Sequence, residues 1–314
     1  MATASVPSEP PLVVSGAEKR YAKVPALAGA SFEVRKGELL GLLGPNGAGK
    51  TTIIKAIAGR VQLDAGTIRL FGRALVREDK RPEIGVVPQE LAVYPLLTAR
   101  ENLEAFGRLY GVAPNELRDR VDWALEWSDL KDRAREITKR FSGGMKRRLN
   151  IACGLVHKPS VVLLDEPTVG VDPQSRERIY EMLAALRGSG VSIVLTTHHL
   201  EEAERRCERI VIIDHGAIVA SGALNDLVSS TLGVARTLTL TLGQPLPLDA
   251  VVPAGAVIDE SRRLLTSQVH DVGADVGRFL AAVNGAHGEV VDVAIAGSTL
   301  QDVFIALTGR ELRE

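Results

Sequence analysis

The sequence has little of what marks secreted or membrane-spanning proteins. Cysteine occurs only twice, at Cys153 and Cys207, which excludes a disulfide scaffold, fits a reducing compartment and predicts inert thiols. No segment approaches the roughly 18–20 consecutive apolar residues that a membrane-spanning helix needs. The Pro- and Ser-rich segment Met1–Pro11 lacks the cationic start and apolar stretch of a signal peptide, and we interpret it as a disordered tail. These absences predict a protein of the cytosol that only a partner holds at a membrane.

An excess of charge of one sign is also lacking. Lys and Arg number 38 against 39 Asp and Glu, a formal net charge of −1, so nothing indicates a surface for polyanions. The basic triplet Lys146-Arg147-Arg148 could contact nucleic acid, but charges at the start of a helix usually form a solvated face. We adopt the solvated-face interpretation and expect no nucleic-acid partner.

Short apolar runs alternate with helical patterns from Leu12 to about residue 230. Continuous apolar strands flanked by helices predict an α/β fold with a mainly parallel sheet, because such strands are covered on both faces. The runs are Leu39–Leu43, Ile84–Val87, Val161–Leu164, Ser192–Thr196 and Ile210–Ile213. Residues 12–230 are therefore predicted to form one large domain.

Two regions depart from this alternation. Residues 90–140 show helical spacing without a convincing strand, at Ala99–Tyr110, Glu116–Trp127 and Arg133–Thr138, which predicts a helical insert. Residues 231–314 mix short strand-like segments with two helical ones, which predicts a small C-terminal α+β accessory domain.

The segment from Gly44 to Thr51 reads Gly-Pro-Asn-Gly-Ala-Gly-Lys-Thr, the spacing of a P-loop between a strand and a helix. Glycines let successive backbone N–H groups curl round phosphate oxygens, and the dipole of the following helix adds to the attraction. Lys50 is expected to reach the β- and γ-phosphates of ATP, and the Thr51 hydroxyl to bind Mg²⁺. The alternative is a glycine-rich structural turn, which the Lys-Thr pair disfavours. The residues expected to contact the nucleotide here are Gly44, Asn46, Gly47, Ala48, Gly49, Lys50, Thr51 and Thr52.

The apolar run Val161–Leu164 ends in two acids, Asp165 and Glu166. Burial of this strand makes sense if Asp165 emerges at its end to hold Mg²⁺, directly or through water. Glu166 would then lie beside the γ-phosphate and polarise the attacking water. The pattern is weak by itself, but behind a P-loop it predicts hydrolysis of a nucleoside triphosphate.

A third segment separates this chain from other P-loop enzymes such as small-molecule kinases and GTPases. The residues from Phe141 to Met145, Phe-Ser-Gly-Gly-Met, resemble the signature motif of ABC (ATP-binding cassette) transporters. The family more often has Leu and Gln at these two end positions, but neither change removes a phosphate ligand. The resemblance implies that Ser142, Gly143 and Gly144 bind the γ-phosphate of ATP held by a second cassette, packed head to tail. We therefore expect a dimer with a second ATP-binding subunit, preferably a homodimer.

Further residues follow in the order of the family's motifs. Tyr21 resembles the aromatic residue that stacks on adenine, and Gln89 resembles the Q-loop glutamine, which senses Mg²⁺, water and the membrane partner. Asp172 resembles the acid of the D-loop, and His198 resembles the switch histidine that contacts the γ-phosphate. His199 is the alternative switch residue, but the register after the preceding strand favours His198.

The resemblance implies an ATP-binding and ATP-hydrolysing subunit that uses ATP and Mg²⁺ and drives a separate permease. Ser298–Phe304, with Thr308-Gly309-Arg310, is similar to the tail of drug-exporter ATPases, although an ordinary amphipathic helix would also fit. One alternative is a soluble ABC-type ATPase acting on ribosomes or DNA, but those relatives commonly carry two cassettes or a long coiled-coil insert. Another is a nucleotide-gated clamp without useful hydrolysis, which Glu166 and His198 argue against. The predicted catalytic residues are Gln89, Glu166 and His198, and the predicted metal ligands are Thr51, Gln89 and Asp165.

Overall fold

The computed structural model describes residues 9–233, 236–248, 250–269 and 271–309. Most of the predicted N-terminal tail, and Arg310 of the predicted exporter tail, lie outside the described residues. The described chain divides between Leu224 and Asn225 into two compact units. The domain boundary predicted at residue 230 stays a prediction.

The larger unit contains two sheets. An antiparallel sheet has the order β2-β1-β4-β5, and a six-stranded sheet has the order β10-β9-β3-β8-β7-β6. All neighbours in the six-stranded sheet pair in parallel except β9 with β10, which is the mainly parallel arrangement predicted from the apolar runs. The strands are β1 (Leu12–Tyr21), β2 (Val24–Val34), β3 (Leu39–Leu43), β4 (Ala65–Leu70), β5 (Arg73–Ala74), β6 (Ile84–Val87), β7 (Val161–Asp165), β8 (Ser192–Thr197), β9 (Arg209–Asp214) and β10 (Ala217–Gly222).

Helices cover both faces of the six-stranded sheet, because alternate residues of each strand face opposite layers. Leu40 and Leu42 pack with Ile53 of the first helix, whereas Leu39 packs with Ile179 on the other side. Because β3, β6, β7 and β8 run parallel to one another, their carboxyl ends lie at one edge, where ligand sites of such sheets are found. The helices of this unit are α1 (Lys50–Ile57), α2 (Ala99–Leu109), α3 (Pro114–Trp127), α4 (Gly143–Leu155), α5 (Pro173–Gly188) and α6 (Leu200–Arg206).

The helical insert contains α2 and α3. Thr98 and Glu101 form a capping box at the start of α2. The predicted helix at Arg133–Thr138 is wrong, because the structure has two single 3₁₀ turns, Lys131–Arg133 and Thr138–Arg140. The backbone between them instead bonds to the start of α2, with the Ala99 and Arg100 N–H groups donating to carbonyls of that segment.

Both cysteines are packed against neighbouring elements. Cys153 is buried in α4, and a Cβ added at Gly41 of β3 would lie 2.9 Å from the Cys207 sulfur. Burial raises the pKa of both thiols, that of Cys207 to about 12. They are therefore thiols of low reactivity, as expected from the sequence.

The smaller unit contains a four-stranded sheet of order β12-β13-β11-β14. Leu238, Leu240 and Leu242 face one side of it and pack with Phe279 and Val283 of its longest helix. Among the described residues, no helix of either unit is both long and apolar enough to cross a membrane. The elements are α7 (Leu224–Leu232), β11 (Arg236–Leu242), β12 (Val257–Ile258), β13 (Leu264–Val269), α8 (Val272–Gly285), β14 (Val290–Gly297) and α9 (Leu300–Thr308).

Candidate nucleotide site

The P-loop adopts a conformation that only glycines accept at several positions. Gly47 and Gly49 have φ values of 81° and 109°, in the left-handed region. A side chain at Gly44 would place its Cβ 2.2 Å from the Ile213 carbonyl oxygen, and one at Gly49 would lie 2.5 Å from that of Ala26. The loop therefore curls tightly at the carboxyl end of β3, and its last two residues, Lys50 and Thr51, are the first of α1.

The Lys50 side chain is buried inside this loop and only 6% exposed. Its ammonium group donates to the carbonyl oxygens of Gly44 at 2.6 Å and Pro45 at 3.2 Å. Burial lowers the pKa of Lys50, while the nearby Glu166 and Asp165 carboxylates act in the opposite direction. The loop thus holds a cation among neutral carbonyls at the place where phosphate oxygens would enter.

The two acids at the end of β7 have separate partners. Asp165 accepts hydrogen bonds from the Thr51 hydroxyl at 3.1 Å and from the Thr196 hydroxyl at 2.7 Å. Glu166 has a φ of 48°, which is uncommon for a residue with a side chain. Its backbone N–H donates to the Thr196 hydroxyl at 3.0 Å. Thr196, for which the sequence predicted no role, therefore orients both acids.

The Glu166 carboxylate is contacted on both oxygens by predicted site residues. The Gln89 amide donates to one oxygen at 3.0 Å, and the His198 Nδ1 lies 3.3 Å from the other. These three side chains come from the ends of three neighbouring parallel strands, so the sheet order accounts for their convergence. The structure thus brings all three predicted catalytic residues together.

A cavity of about 340 Å³ joins these groups to the P-loop. His198 lines it, whereas the alternative switch residue His199 does not. Two lining residues, Ala26 and Val169, carried no signal in the sequence beyond their position near motifs. The lining residues are Ala26, Pro45, Asn46, Gly47, Ala48, Gly49, Lys50, Thr51, Thr52, Gln89, Glu166, Val169 and His198.

The signature segment lies elsewhere and is not part of the cavity lining. Ser142 caps α4 by accepting a hydrogen bond from the Met145 N–H at 3.2 Å, and both it and Gly143 are exposed. Gly144 is buried against α5, since an added Cβ would lie 2.1 Å from the Ser175 hydroxyl. Asp172 caps α5, and the hydrogen bonds from Ser175 hold the pKa of its carboxyl below the usual value.

Comparison with known proteins decides the family. Residues 27–169 match the family model described as ABC transporter. The linearmycin resistance ATP-binding protein LnrL of Bacillus subtilis is 40% identical over 306 residues, which is 95% of this chain and 98% of that protein. The chain belongs to the ABC transporter family.

A second relative and a solved structure agree with this assignment. The daunorubicin resistance ATP-binding protein DrrA3 of Streptomyces coeruleorubidus is 39% identical, covering 96% of this chain and 97% of its own length. A structure of an ATP-binding subunit of an ABC transporter superposes with a TM-score of 0.64 at 31% identity, covering 71% of this chain and 93% of that one. The predicted fold, the resemblance to drug-exporter ATPases and the prediction of an ATP-binding and ATP-hydrolysing transporter subunit are confirmed.

The structure of this ABC ATPase bears on two further expectations from the sequence, those for Tyr21 and for the basic triplet. Tyr21, predicted to stack on adenine, ends β1 with its side chain 49% exposed and is not part of the cavity lining. The interpretation of the basic triplet as a solvated face is wrong for Arg147, which is only 6% exposed. The nearby loops, which the sequence alone could not place around this side chain, bury it.

Proposed function

We propose that this chain hydrolyses Mg-ATP on the cytoplasmic side of a membrane and thereby drives a separate permease that exports its substrate. The observation that carries this proposal is the contact of Glu166 with both Gln89 and His198 at the P-loop cavity. Export is supported by relatives named for drug resistance, and by a Ralstonia nicotianae relative that is named a Nod factor export ATP-binding protein and is 37% identical.

Thr51 and Asp165 are the proposed Mg²⁺ ligands, and Gln89, the third predicted ligand, lines the same cavity as Thr51. The Thr51 hydroxyl and an Asp165 carboxylate oxygen approach within 3.1 Å, and such oxygen donors suit Mg²⁺, which takes few protein ligands beside phosphates. The ion would neutralise charge on the transferred phosphate. The donor set therefore fits the predicted cofactor.

Glu166 is the proposed general base, and His198 and Gln89 hold it in place. A carboxylate can accept a proton only from a water that lies within hydrogen-bond reach of one of its oxygens. The two contacts on Glu166 fix the direction of this carboxylate at the cavity, and Lys50 supplies the positive charge for the phosphates. Glu166, at the end of β7, is thus proposed to remove the proton from water. Lys50, in the loop after β3, is proposed to stabilise the charge of the phosphates.

A second cassette is proposed to complete the site. Ser142 and Gly143 are exposed at the start of α4 and do not line the cavity, so they are free to contact nucleotide bound by another subunit. A dimeric ATP-binding cassette solved with ADP and phosphate is similar in structure, with a TM-score of 0.61 and 26% identity. These observations support a head-to-tail dimer with two shared sites.

The test replaces Glu166 by Gln, which keeps the shape of the side chain and removes the base. Turnover should fall by about 10²–10⁴-fold, the scale of general-base loss, while ATP still binds. ATP-dependent dimers should then accumulate and elute earlier on a sizing column. Glu181→Gln, at an exposed acid on α5, is the matched control and should behave as wild type. Wild-type turnover in Glu166→Gln would move the base elsewhere.

The membrane partner is tested by solubilising membranes that contain the tagged chain and identifying what remains bound. A protein with several membrane spans should copurify, and Mg-ATP should alter its transport activity in vesicles. Recovery of ribosomal or DNA-bound proteins instead, with none in the membrane fraction, would favour the alternative of a soluble ABC-type ATPase.

A further inference from the structure

Arg147 carries a buried positive charge, and the catalytic roles proposed above do not involve it. It lies in α4, the helix that starts at the signature serine, and is 6% exposed. Its guanidinium donates to the backbone carbonyl of Gln89 at 2.8 Å, with longer contacts to those of Pro88 at 3.4 Å and Val169 at 3.5 Å. Within the described part of the chain no carboxylate pairs with it, and burial lowers its pKa. Carbonyl oxygens of two motif loops therefore compensate this charge.

A second side chain of α4 contacts the same loop. Asn150, one turn after Arg147, accepts a hydrogen bond from the Ala92 N–H at 2.9 Å and donates to the Pro88 carbonyl at 3.4 Å. Residues three apart lie on one face of a helix, so the segment from Pro88 to Ala92 is held at both ends by one face of α4.

The contact with Gln89 links Arg147 to the proposed catalytic residues. Arg147 binds the backbone carbonyl of Gln89, and the side-chain amide of Gln89 donates to Glu166 at 3.0 Å. A shift of the backbone would therefore change the distance between the Gln89 amide and the Glu166 carboxylate. Val169, whose carbonyl Arg147 also approaches, lines the same cavity.

We propose that Arg147 is a positioning residue that holds the Q-loop against the signature helix, so that Gln89 meets Glu166 only when α4 is in place. The proposal rests on the function proposed above for Gln89 and Glu166. The hydrogen bond from the charged guanidinium to the Gln89 carbonyl, at 2.8 Å, is of the short and strong kind. A displacement of α4 would break it and leave the buried cation without its best partner, so the loop has to follow the helix.

Arg148 provides a matched control on the same helix. It is also largely buried and also binds backbone carbonyls, those of Ser128 at 2.7 Å and Asp129 at 3.1 Å, together with the Asp129 carboxylate. These partners lie at the end of α3, outside the cavity lining. Loss of Arg148 should therefore weaken the fold without disturbing Gln89.

The first experiment compares Arg147→Met with Arg148→Met in steady-state ATPase assays, fluorescent-ATP binding and thermal unfolding. We expect Arg147→Met to lower kcat by about 10–100-fold, the usual cost of losing a residue that orients a site, with KM and nucleotide affinity within about threefold of wild type. Arg147→Lys should recover part of kcat because it restores a charged donor. Arg148→Met should lower the melting temperature but keep kcat. Wild-type kcat in Arg147→Met would overturn the proposal.

The second experiment is a double-mutant cycle with Gln89→Ala, which separates positioning from general stability. If Arg147 acts through Gln89, the variant with both changes should turn over no more slowly than Gln89→Ala alone. Additive losses would overturn the proposal, because Arg147 would then act independently of Gln89. Unchanged turnover in Gln89→Ala would instead contradict the role proposed for Gln89. If Arg147→Met does not yield soluble protein, Arg147→Gln replaces it in both experiments.

Discussion

At the scale of single residues, the backbone at Glu166 combines strain with compensation. Its left-handed φ of 48° is disfavoured for a residue with a Cβ, and such conformations persist only where the surroundings enforce them. Here the Thr196 hydroxyl accepts from the Glu166 N–H and donates to Asp165. One threonine therefore sets the direction in which both acids leave the strand.

Thr196→Val is expected to lower both stability and turnover. Valine has the shape of threonine but leaves the buried Glu166 N–H and an Asp165 oxygen with fewer partners, at a cost of about 1–3 kcal/mol in the free energy of unfolding. ATP turnover should fall by about tenfold or more because both acids lose their orientation. Chemical denaturation and ATPase assays measure the two effects. Thr196→Ser, which keeps the hydroxyl, should stay close to wild type, and equal losses in both variants would contradict this role.

The difference between Thr196 and Glu166 shows how far a sequence predicts a site. Lys50, Asp165, Glu166 and His198 follow strands in motif spacing, so their grouping at one sheet edge was predictable. Thr196 begins the segment Thr196-Thr197-His198-His199, which resembles the family's switch region, but the sequence predicts no role for its hydroxyl. Its position opposite Asp165 arises from the parallel register of β7 and β8, which spacing along the chain does not contain.

At the scale of elements, α4 crosses β6 unusually closely, at two glycines. A Cβ on Gly154 of the helix would lie 2.7 Å from a Val87 methyl and 2.9 Å from the Val86 carbonyl oxygen. One on Gly85 of the strand would lie 2.5 Å from the Gly154 carbonyl oxygen. This approach brings the signature helix next to the strand that leads to Gln89.

Gly154→Ala is expected to destabilise the larger unit by about 1–3 kcal/mol, as overpacking of a filled core does. Alanine normally favours a helix over glycine, so the sign of the effect tests the close crossing. Gly188→Ala is the matched control, because Gly188 lies in α5 with no atom within 4 Å of an added Cβ, and it should be neutral or stabilising by up to about 1 kcal/mol. Urea denaturation measures both, and stabilisation by Gly154→Ala would contradict the packing.

Elements differed in how well the sequence predicted them. The buried parallel strands have continuous apolar runs and were predicted to within a residue or two. The antiparallel sheet of the larger unit was not predicted. Register shifts in β1 after Val14 and after Ala17 break the alternation of apolar and polar residues that marks such strands. The helix expected at Arg133–Thr138 was wrong because this segment bonds to the backbone of Ala99 and Arg100, partners remote in sequence.

At the scale of the whole molecule, the two segments that we propose to bind phosphate lie at different places. Lys50 lies inside the cavity, whereas Ser142 is exposed at the start of α4 and does not line it. If both segments bind phosphate, a monomer has the P-loop contacts but lacks a signature against its own nucleotide. Because of this separation, the oligomeric state bears on whether the proposed phosphate site is complete.

Complementation between two inactive variants tests the shared site. Ser142→Arg places a bulky cation where the partner's γ-phosphate would lie and leaves its own P-loop intact, whereas Lys50→Ala damages the P-loop and leaves the signature intact. A mixed dimer has one site with both changes and one with neither. An equal mixture should therefore recover about a quarter of wild-type ATPase activity, because half of the dimers are mixed and each has one intact site of two.

The control for this mixture is a chain that carries both substitutions, mixed with either single variant. No pairing of that chain yields an intact site, so activity should not return. The Ser142→Arg chain alone should still bind ATP, since Lys50 and the glycines of its loop are unchanged. If it is folded and monomeric but binds no ATP, Ser142 acts on the nucleotide of its own chain. A head-to-tail dimer would then no longer account for the separation of Ser142 from the cavity, and one cassette would have to close over its own nucleotide.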